Sequence, residues 1–463
     1  MKTTLHSSVD LPAALCKILA PVVLTASLNL QAQSEPAKQT AAHNGLNIDV
    51  STAEHLKPSL PVIPDRALNL ADFGAVGDGQ TMNTDAFKNA IAAIDKAGGG
   101  KLVVPKGVFY TAPFTLCSKL ELHLDAGAVI KAPETFAALG LPDPSTFKTQ
   151  GEANSVFHVP NPLISGKKLH DVALTGSGTI DGSGQHWWDW SERAARNAAK
   201  TQPGRIIYLR PNLVVIDGCD RLLVADLTLR NSSMFHLVPK HINDLTIERV
   251  KIRAPWDGSA PNTDAIDPGP GTNFWIHDCD IDTGDDDIVI KSGGSNILIE
   301  NNTIQHGHGI SIGSETSAGV HNMLVRHCTI DGADNGIRIK SMRGAGGLVE
   351  NVRYTDITMK NVANAIILQL DYVDNNRPDF KGDSRKIPVI RNILFDHLTI
   401  TDARNAGMIH GLPDSQIRNI IFRDITLTAG KYFDIRNAEP PVCERMTRTI
   451  KPGVGPAKVA GEH

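Results

Sequence analysis

From about residue 100 onward the apolar positions fall in short alternating bursts, separated by Gly, Asn and Asp, and not at helical spacing. One local pattern keeps returning. Val224, Leu227 and Leu229 share their offsets with Ile247, Val250 and Ile252, and again with Ile276, Cys279 and Ile281. The series continues as Ile299-Asn302-Ile304, Val325-Cys328-Ile330, Tyr354-Ile357-Met359, Phe395-Leu398-Ile400 and Phe422-Ile425-Leu427. Its intervals run from roughly 23 to 29 residues, with one near 41, which is the scale of a solenoid coil. Residues two apart in a strand share a face, so an offset of three between two such positions implies a bend. Alternation with bends and without helices predicts an all-β, single-domain right-handed parallel β-helix. Each coil of such a fold buries its small apolar ring only by stacking on its neighbours.

One helix stands before this region. Thr84 is placed to cap it, and Ala86, Phe87, Ala90, Ile91 and Ile94 recur at helical spacing until Gly98-Gly99-Gly100 stops it. It is expected to close the N-terminal end of the solenoid, where open strand edges invite aggregation. A second helical stretch is suggested only between Trp190 and Lys200. Further upstream, Lys2 and Lys17 precede an apolar run from Ile18 to Leu30 and then Gln31-Ala32-Gln33-Ser34. That is the layout of an export signal and is too short for a membrane span. The expected organisation is a signal peptide over 1–32, a linker over 33–64, the β-helix over 65–435 and a tail over 436–463. Export to the exterior or the periplasm follows from the first of these.

Composition changes the picture little. Forty glycines beside 5% aromatic residues suit many turns and short strands. A net charge of −4 gives no general attraction to nucleic acid or to anionic membranes, so neither is expected as a partner. Of six cysteines, Cys16 would leave with the signal, and the remaining five (Cys117, Cys219, Cys279, Cys328 and Cys443) show no metal-like spacing. In the repeat register Cys279 and Cys328 lie two rungs apart with Asn302 between them, about 10 Å at the strand spacing. That exceeds the reach of a disulfide, and both are expected to be buried free thiols.

A second ladder runs beside the first. Asp264, Asp286, His308 and Asn335 each stand two residues before an isoleucine: Ile266, Ile288, Ile310 and Ile337. Stacked in register, they form a column at about 4.8 Å per rung. Parity would turn these side chains inward, so the chain must bend just before each strand, and Gly284, Gly307, Gly309 and Gly336 permit it. Asp285, Asp286 and Asp287 together with Asp264 supply the carboxylates that glycosidic hydrolysis requires: one protonated acid and one base or nucleophile. Crowding like charges raises the pKa of at least one of them. Arg338 and Lys340 alternate with Ile337 and Ile339, so they point away from the core beside this acidic column. Two cations there suit a substrate carrying a carboxylate on each sugar.

Blander readings account for other motifs. Asp278, Asp280 and Asp282 imitate the start of a calcium loop, but Thr283 stands where the glycine belongs and Val289 where the glutamate belongs. Gly176-Ser177-Gly178 with Gly182 lacks the spacing of a dinucleotide fingerprint. His236 and His241 have no third ligand at metal-site spacing. Trp187, Trp188 and Trp190 could stack on a sugar, though covering a coil is the favoured reading.

Four short motifs occur in order: Asn262-Thr263-Asp264, Gly284-Asp285-Asp286, Gly307-His308-Gly309 and Arg338-Ile339-Lys340. With Ile290-Lys291-Ser292-Gly293, Ile310 to Glu315, and Asp72-Phe73-Gly74-Ala75-Val76-Gly77-Asp78-Gly79, they make the chain resemble the polygalacturonases of glycoside hydrolase family 28 from residue 68 to about 430. The resemblance implies a pectin-lyase-like β-helix that hydrolyses the α-1,4-galacturonosyl linkages of pectin with inversion. It implies Asp285 as general acid, Asp264 and Asp286 activating water, and His308 supporting the acid. Asn262, Arg338, Lys340 and Tyr372 would hold the substrate. No metal or organic cofactor is expected, and a monomer is. One departure is Asp287, where the family often has Cys; it would either shift the acid's pKa or face solvent.

Three other activities stay open at this point. A rhamnogalacturonan or xylogalacturonan hydrolase would share the chemistry. A calcium-dependent pectate lyase would share the fold, and a non-catalytic glycan-binding β-helix would lack turnover. Endo and exo cleavage are also alternatives, depending on loops such as Asp257 to Pro261 and Asp371 to Asp383.

Overall fold

The computed structural model describes residues 48–135, 137–139, 156–188, 206–373 and 382–456. The expected export signal, the stretch Trp190 to Lys200 and most of the loop from Asp371 to Asp383 lie outside them. Among the described residues every strand ladder is parallel. The chain winds as a parallel β-helix, right-handed as parallel crossovers in one sheet are. Three columns of strands form its faces. One runs through Ile288–Ile290, Ile310–Ile312, Asn335–Lys340 and Asn364–Gln369. The second includes Gly271–His277, Gly294–Glu300 and Val320–Arg326, and the third Asp280–Asp282, Thr303–Ile304 and Thr329–Asp331.

The repeat read from the apolar pattern is the register of these columns. Val224, Ile247, Ile276, Ile299, Val325, Tyr354, Phe395 and Phe422 are successive Cα partners, all buried. Each such side chain taken from water is worth about 1.5–3 kcal/mol, which is why the ring is apolar at every rung. The offset of three has a local cause. Asp226, Arg249, Asp278, Asn301, His327, Asp356, His397 and Asp424 fall inside it, and all take left-handed backbone, φ 51 to 66°. A single left-handed residue turns the corner between two faces, and short polar side chains tolerate it best. Asparagines line a second corner and bond rung to rung: Asn273 to Asp244 at 2.9 Å and Asn296 to Asn273 at 3.2 Å.

Cys279 and Cys328 are buried and unbridged, and burial pushes both thiols up to about 12. Asn302 between them accepts from the Cys279 N–H at 2.9 Å. The helix Thr84–Lys96 covers the N-terminal coils with the five apolar residues expected, and Phe87 stacks on Phe114 at 4.5 Å. Thr84 does not cap it. Asn83 holds the N-cap position, and the Thr84 hydroxyl instead accepts from the Ala112 N–H at 2.9 Å.

Two expected boundaries move. The stretch taken as a linker up to residue 64 is packed from residue 48: Ile48, Val50 and Ala53 join Leu298, Leu324, Leu394 and Ile421 in a second apolar cluster. The tail taken to start at residue 436 carries the last rung, because Val442–Ile450 pairs with Arg418–Lys431. Its residues alternate half-buried and exposed. Among the described residues no coil stacks beyond it, so that rung needs no continuous apolar ring.

Candidate active site

The isoleucines Ile266, Ile288, Ile310 and Ile337 are partners in register, so the four polar residues two positions before them do stack. The bend demanded by parity is present. Gly307 and Gly309 take left-handed φ of 84° and 67°, and a side chain at Gly309 would meet two backbone carbonyl oxygens at 2.2 Å. Gly284 and Gly336 are not left-handed; Asp286, inward by parity, nonetheless reaches the outward-facing groups of later rungs. Ser311 Oγ donates to it at 2.8 Å, Lys340 Nζ at 3.0 Å, and the Arg338 guanidinium closes the cluster. Asn335 does not join. Its side chain accepts from Asn364 at 3.2 Å, and Asn364 accepts from Asn405 at 3.0 Å, so it starts a structural ladder.

Burial alone would raise Asp286, but Arg338 and Lys340 outweigh it and hold the carboxylate well below the usual range. Asp285 is also enclosed, and the His308 imidazole, 3.0 Å from it through Nδ1, keeps it below the usual range. His308 is the reciprocal case. Burial opposes its charge, yet Asp285 and Asp334, the latter 3.3 Å from Nε2, raise it to about 10. The other oxygen of Asp285 accepts from Asn262 Nδ2 at 3.3 Å, and buried Arg210 holds Asn262 through its Oδ1 at 2.6 Å. The loop leading to Asn262 is steadied by Trp256, stacked at 3.8 Å on His306, which meets Asp282 at 2.8 Å.

Asp264 is 2% exposed and has a different partner. Lys291 Nζ lies 2.7 Å from Asp264 and 2.7 Å from Asp267, and 3.7 Å above the Phe235 ring. Burial pushes Asp264 well up and Lys291 opposes it; Asp267 rises to about 6 for the same reason. Beneath Asp264, His236 is kept neutral, down to about 4, by burial. Its Nε2 accepts from Ser232 N–H and its Nδ1 meets the Asp264 carbonyl at 3.0 Å. Lys291, Asp267, Arg210, Ser311 and Asp334 were not singled out from the sequence. Lys291 and Ser311 left a trace there, as parts of the Ile290 to Gly293 and Ile310 to Glu315 motifs.

Asp264, Asp285, Asp286, His308, Asn262, Arg338, Lys340 and Tyr372 all line one cleft of about 850 Å³. The Tyr372 ring lies 5.3 Å from Lys340 Nζ. Trp187 and Trp188 are buried, and Trp188 Nε1 donates to the Ser232 carbonyl at 2.9 Å, so these two cover a coil. Trp190 lies outside the described residues.

Residues 101–444 match the glycosyl hydrolases family 28. This chain belongs to that family. The family 28 hydrolase is 31% identical over 376 residues to a probable polygalacturonase of Vitis vinifera, covering 78% of this chain and 74% of that one. It is 29% identical over 364 residues to an endo-polygalacturonase of Pectobacterium carotovorum, covering 74% and 85%. Among solved structures, an exopolygalacturonase from Thermotoga maritima superposes with a TM-score of 0.70 at 29% identity, covering 86% and 95%.

Asp287 neither faces solvent nor enters the cleft of the family 28 hydrolase. It is fully buried, accepts from the Gly309 N–H at 2.8 Å and from Thr283 Oγ at 3.1 Å, and burial raises it well above the usual range. A carboxyl raised on folding favours the folded state at low pH, and that advantage is lost as pH rises above the unfolded value. Asn at this position can accept from Gly309 and donate to Thr283 without ionising. Asp287→Asn is therefore expected to gain about 1–3 kcal/mol at pH 8 and close to nothing at pH 4, read from denaturant midpoints. A pH-independent difference would show that Asp287 ionises normally.

Proposed function

We propose that this hydrolase cleaves the α-1,4-galacturonosyl linkages of pectic polygalacturonate by single displacement with inversion, and that it is exported to act on it. The observation that carries the reading is the pairing of two kinds of carboxylate in one cleft. Asp285 lies 3.0 Å from His308 Nδ1, which holds the proton the two share, while Asp286 is held ionised by two cations. In the proposed step Asp285 passes that shared proton to the glycosidic oxygen as its bond to the anomeric carbon breaks. His308 is left neutral, its Nε2–H still towards Asp334. A water between Asp264 and Asp286 attacks the opposite face of the sugar and gives its proton to one of them. A galacturonate carboxylate competes with Asp286 for Arg338 and Lys340, which ties substrate binding to freeing lone pairs for that water. Asn262 and Tyr372 complete the grip on the sugar.

The donor atoms of Asp285, Asp286 and His308 lie within 4.8 Å of one another, so a divalent ion and elimination chemistry form the second reading. Against it, Arg338 and Lys340 already neutralise Asp286. Purified protein on polygalacturonic acid is expected to release reducing ends with no gain in ultraviolet absorbance, at a rate unchanged by EDTA. An absorbing, unsaturated product that disappears with EDTA would make the protein a lyase. Silence in both readouts would move the reading to a rhamnogalacturonan backbone or to binding alone.

A further inference from the structure

Three residues beyond each isoleucine of the catalytic column lies another register position. Counted from Leu237, Ile266, Ile288, Ile310 and Ile337, it holds Lys240, Gly269, Lys291, Gly313 and Lys340 in turn. The rungs are stitched there by backbone bonds: Gly269 N–H to the Pro239 carbonyl at 2.8 Å, Lys291 N–H to Pro268 at 2.9 Å and Gly313 N–H to Ile290 at 2.9 Å. Lysine and glycine thus alternate, and one ammonium group recurs every second rung, about 10 Å apart. The glycines leave the room the lysine stems use, since a Cβ on Gly269 would stand 3.2 Å from Lys240 Cγ. All three lysines line the cleft.

The two outer lysines differ in state. Lys340 is buried and paired with Asp286. Lys240 is exposed and makes no ion pair or hydrogen bond among the described residues; its register neighbour Asp217 is taken by His241 at 2.8 Å. An unpaired cation overhanging a cleft whose other cations are neutralised is poised for an external anion. One rung is close to the length of one 1,4-linked pyranose. In an extended chain with near two-fold twist, every second sugar turns its carboxylate to the same side. The lysine period then matches the carboxylate period of a polyuronate.

We propose that Lys240 forms a remote carboxylate subsite for a polyuronate chain laid along the strand stack, four rungs from Lys340 on the far side of Asp264. This rests on the reading of the cleft as a galacturonan site, and adds that long chains are gripped at both ends of the column. The test is made by calorimetry in an Asp285→Asn background, so that ligands are not consumed, with digalacturonate and hexagalacturonate as probes. A dimer spans about two rungs and settles at the cation-rich end by Arg338, Lys340 and Tyr372. Lys240→Ala is expected to weaken hexamer binding five- to tenfold and dimer binding less than twofold, with Lys240→Arg restoring the hexamer. Equal losses for both lengths, no loss for either, or failure of Arg to restore binding would overturn the subsite. Hexamer binding that depends on Lys240 in a protein whose unmodified form releases no reducing ends would sink the hydrolytic reading and leave the subsite standing.

Discussion

Asp285→Asn is expected to lower kcat on polygalacturonate by about 10³-fold or more, with the protein still folded and polymer affinity close to that of the unaltered protein. The amide fills the same space and can still accept from Asn262 or from His308, so the loop that carries it need not move. It cannot pass a proton to a leaving oxygen. The variant also reports on how the proton is stored. His308 owes its rise to about 10 first to Asp285 overcoming the cost of burial. Without that carboxylate, the imidazole is expected to titrate several pH units lower, visible in its NMR shifts. Loss of turnover with an unchanged His308 titration would mean that Asp285 acts alone. Residual kcat above a tenth of the original would remove Asp285 from the acid role altogether.

The stacking of Asp264, Asp286 and His308 was legible in the sequence because each stands two residues before an isoleucine that had to stack. The same logic placed Cys279 and Cys328 correctly around Asn302. What a one-dimensional register does not carry is the direction and reach of long side chains. Arg338 and Lys340 were expected to stand beside the acids; they grip Asp286 across two rungs. Lys291 stood in the sequence only as part of the Ile290 to Gly293 motif, and its pairing with both Asp264 and Asp267 is a three-dimensional fact. Two boundaries, at residue 48 and at Val442–Ile450, were misplaced for a related reason. Patterns specify a coil through its neighbours; residues 48–56 lie outside the coils, packed along one strand column over Leu298, Leu324, Leu394 and Ile421, and Val442–Ile450 pairs on one side with Arg418–Lys431.

Lys291→Met is expected to give the second large effect, a drop in kcat of about 10²-fold joined to a loss of stability. The ammonium lies between two carboxylates that burial pushes upward, Asp264 strongly and Asp267 to about 6 even with the lysine in place. Removing it leaves both carboxylates without their cation, and breaking a buried pair typically costs 3–5 kcal/mol. The folded protein responds by keeping them protonated, so their pKa values rise further. A carboxyl raised above its unfolded value loses its stabilising contribution as pH increases, so the variant should be weakened more at pH 8 than at pH 5. Catalysis should show the same displacement. If Asp264 must be ionised to accept the water proton, the acidic limb of kcat/KM moves to higher pH in Lys291→Met, and Lys291→Arg brings part of it back. An acidic limb that stays in place while kcat falls would assign Lys291 to packing over Phe235 and leave Asp286 as the sole base.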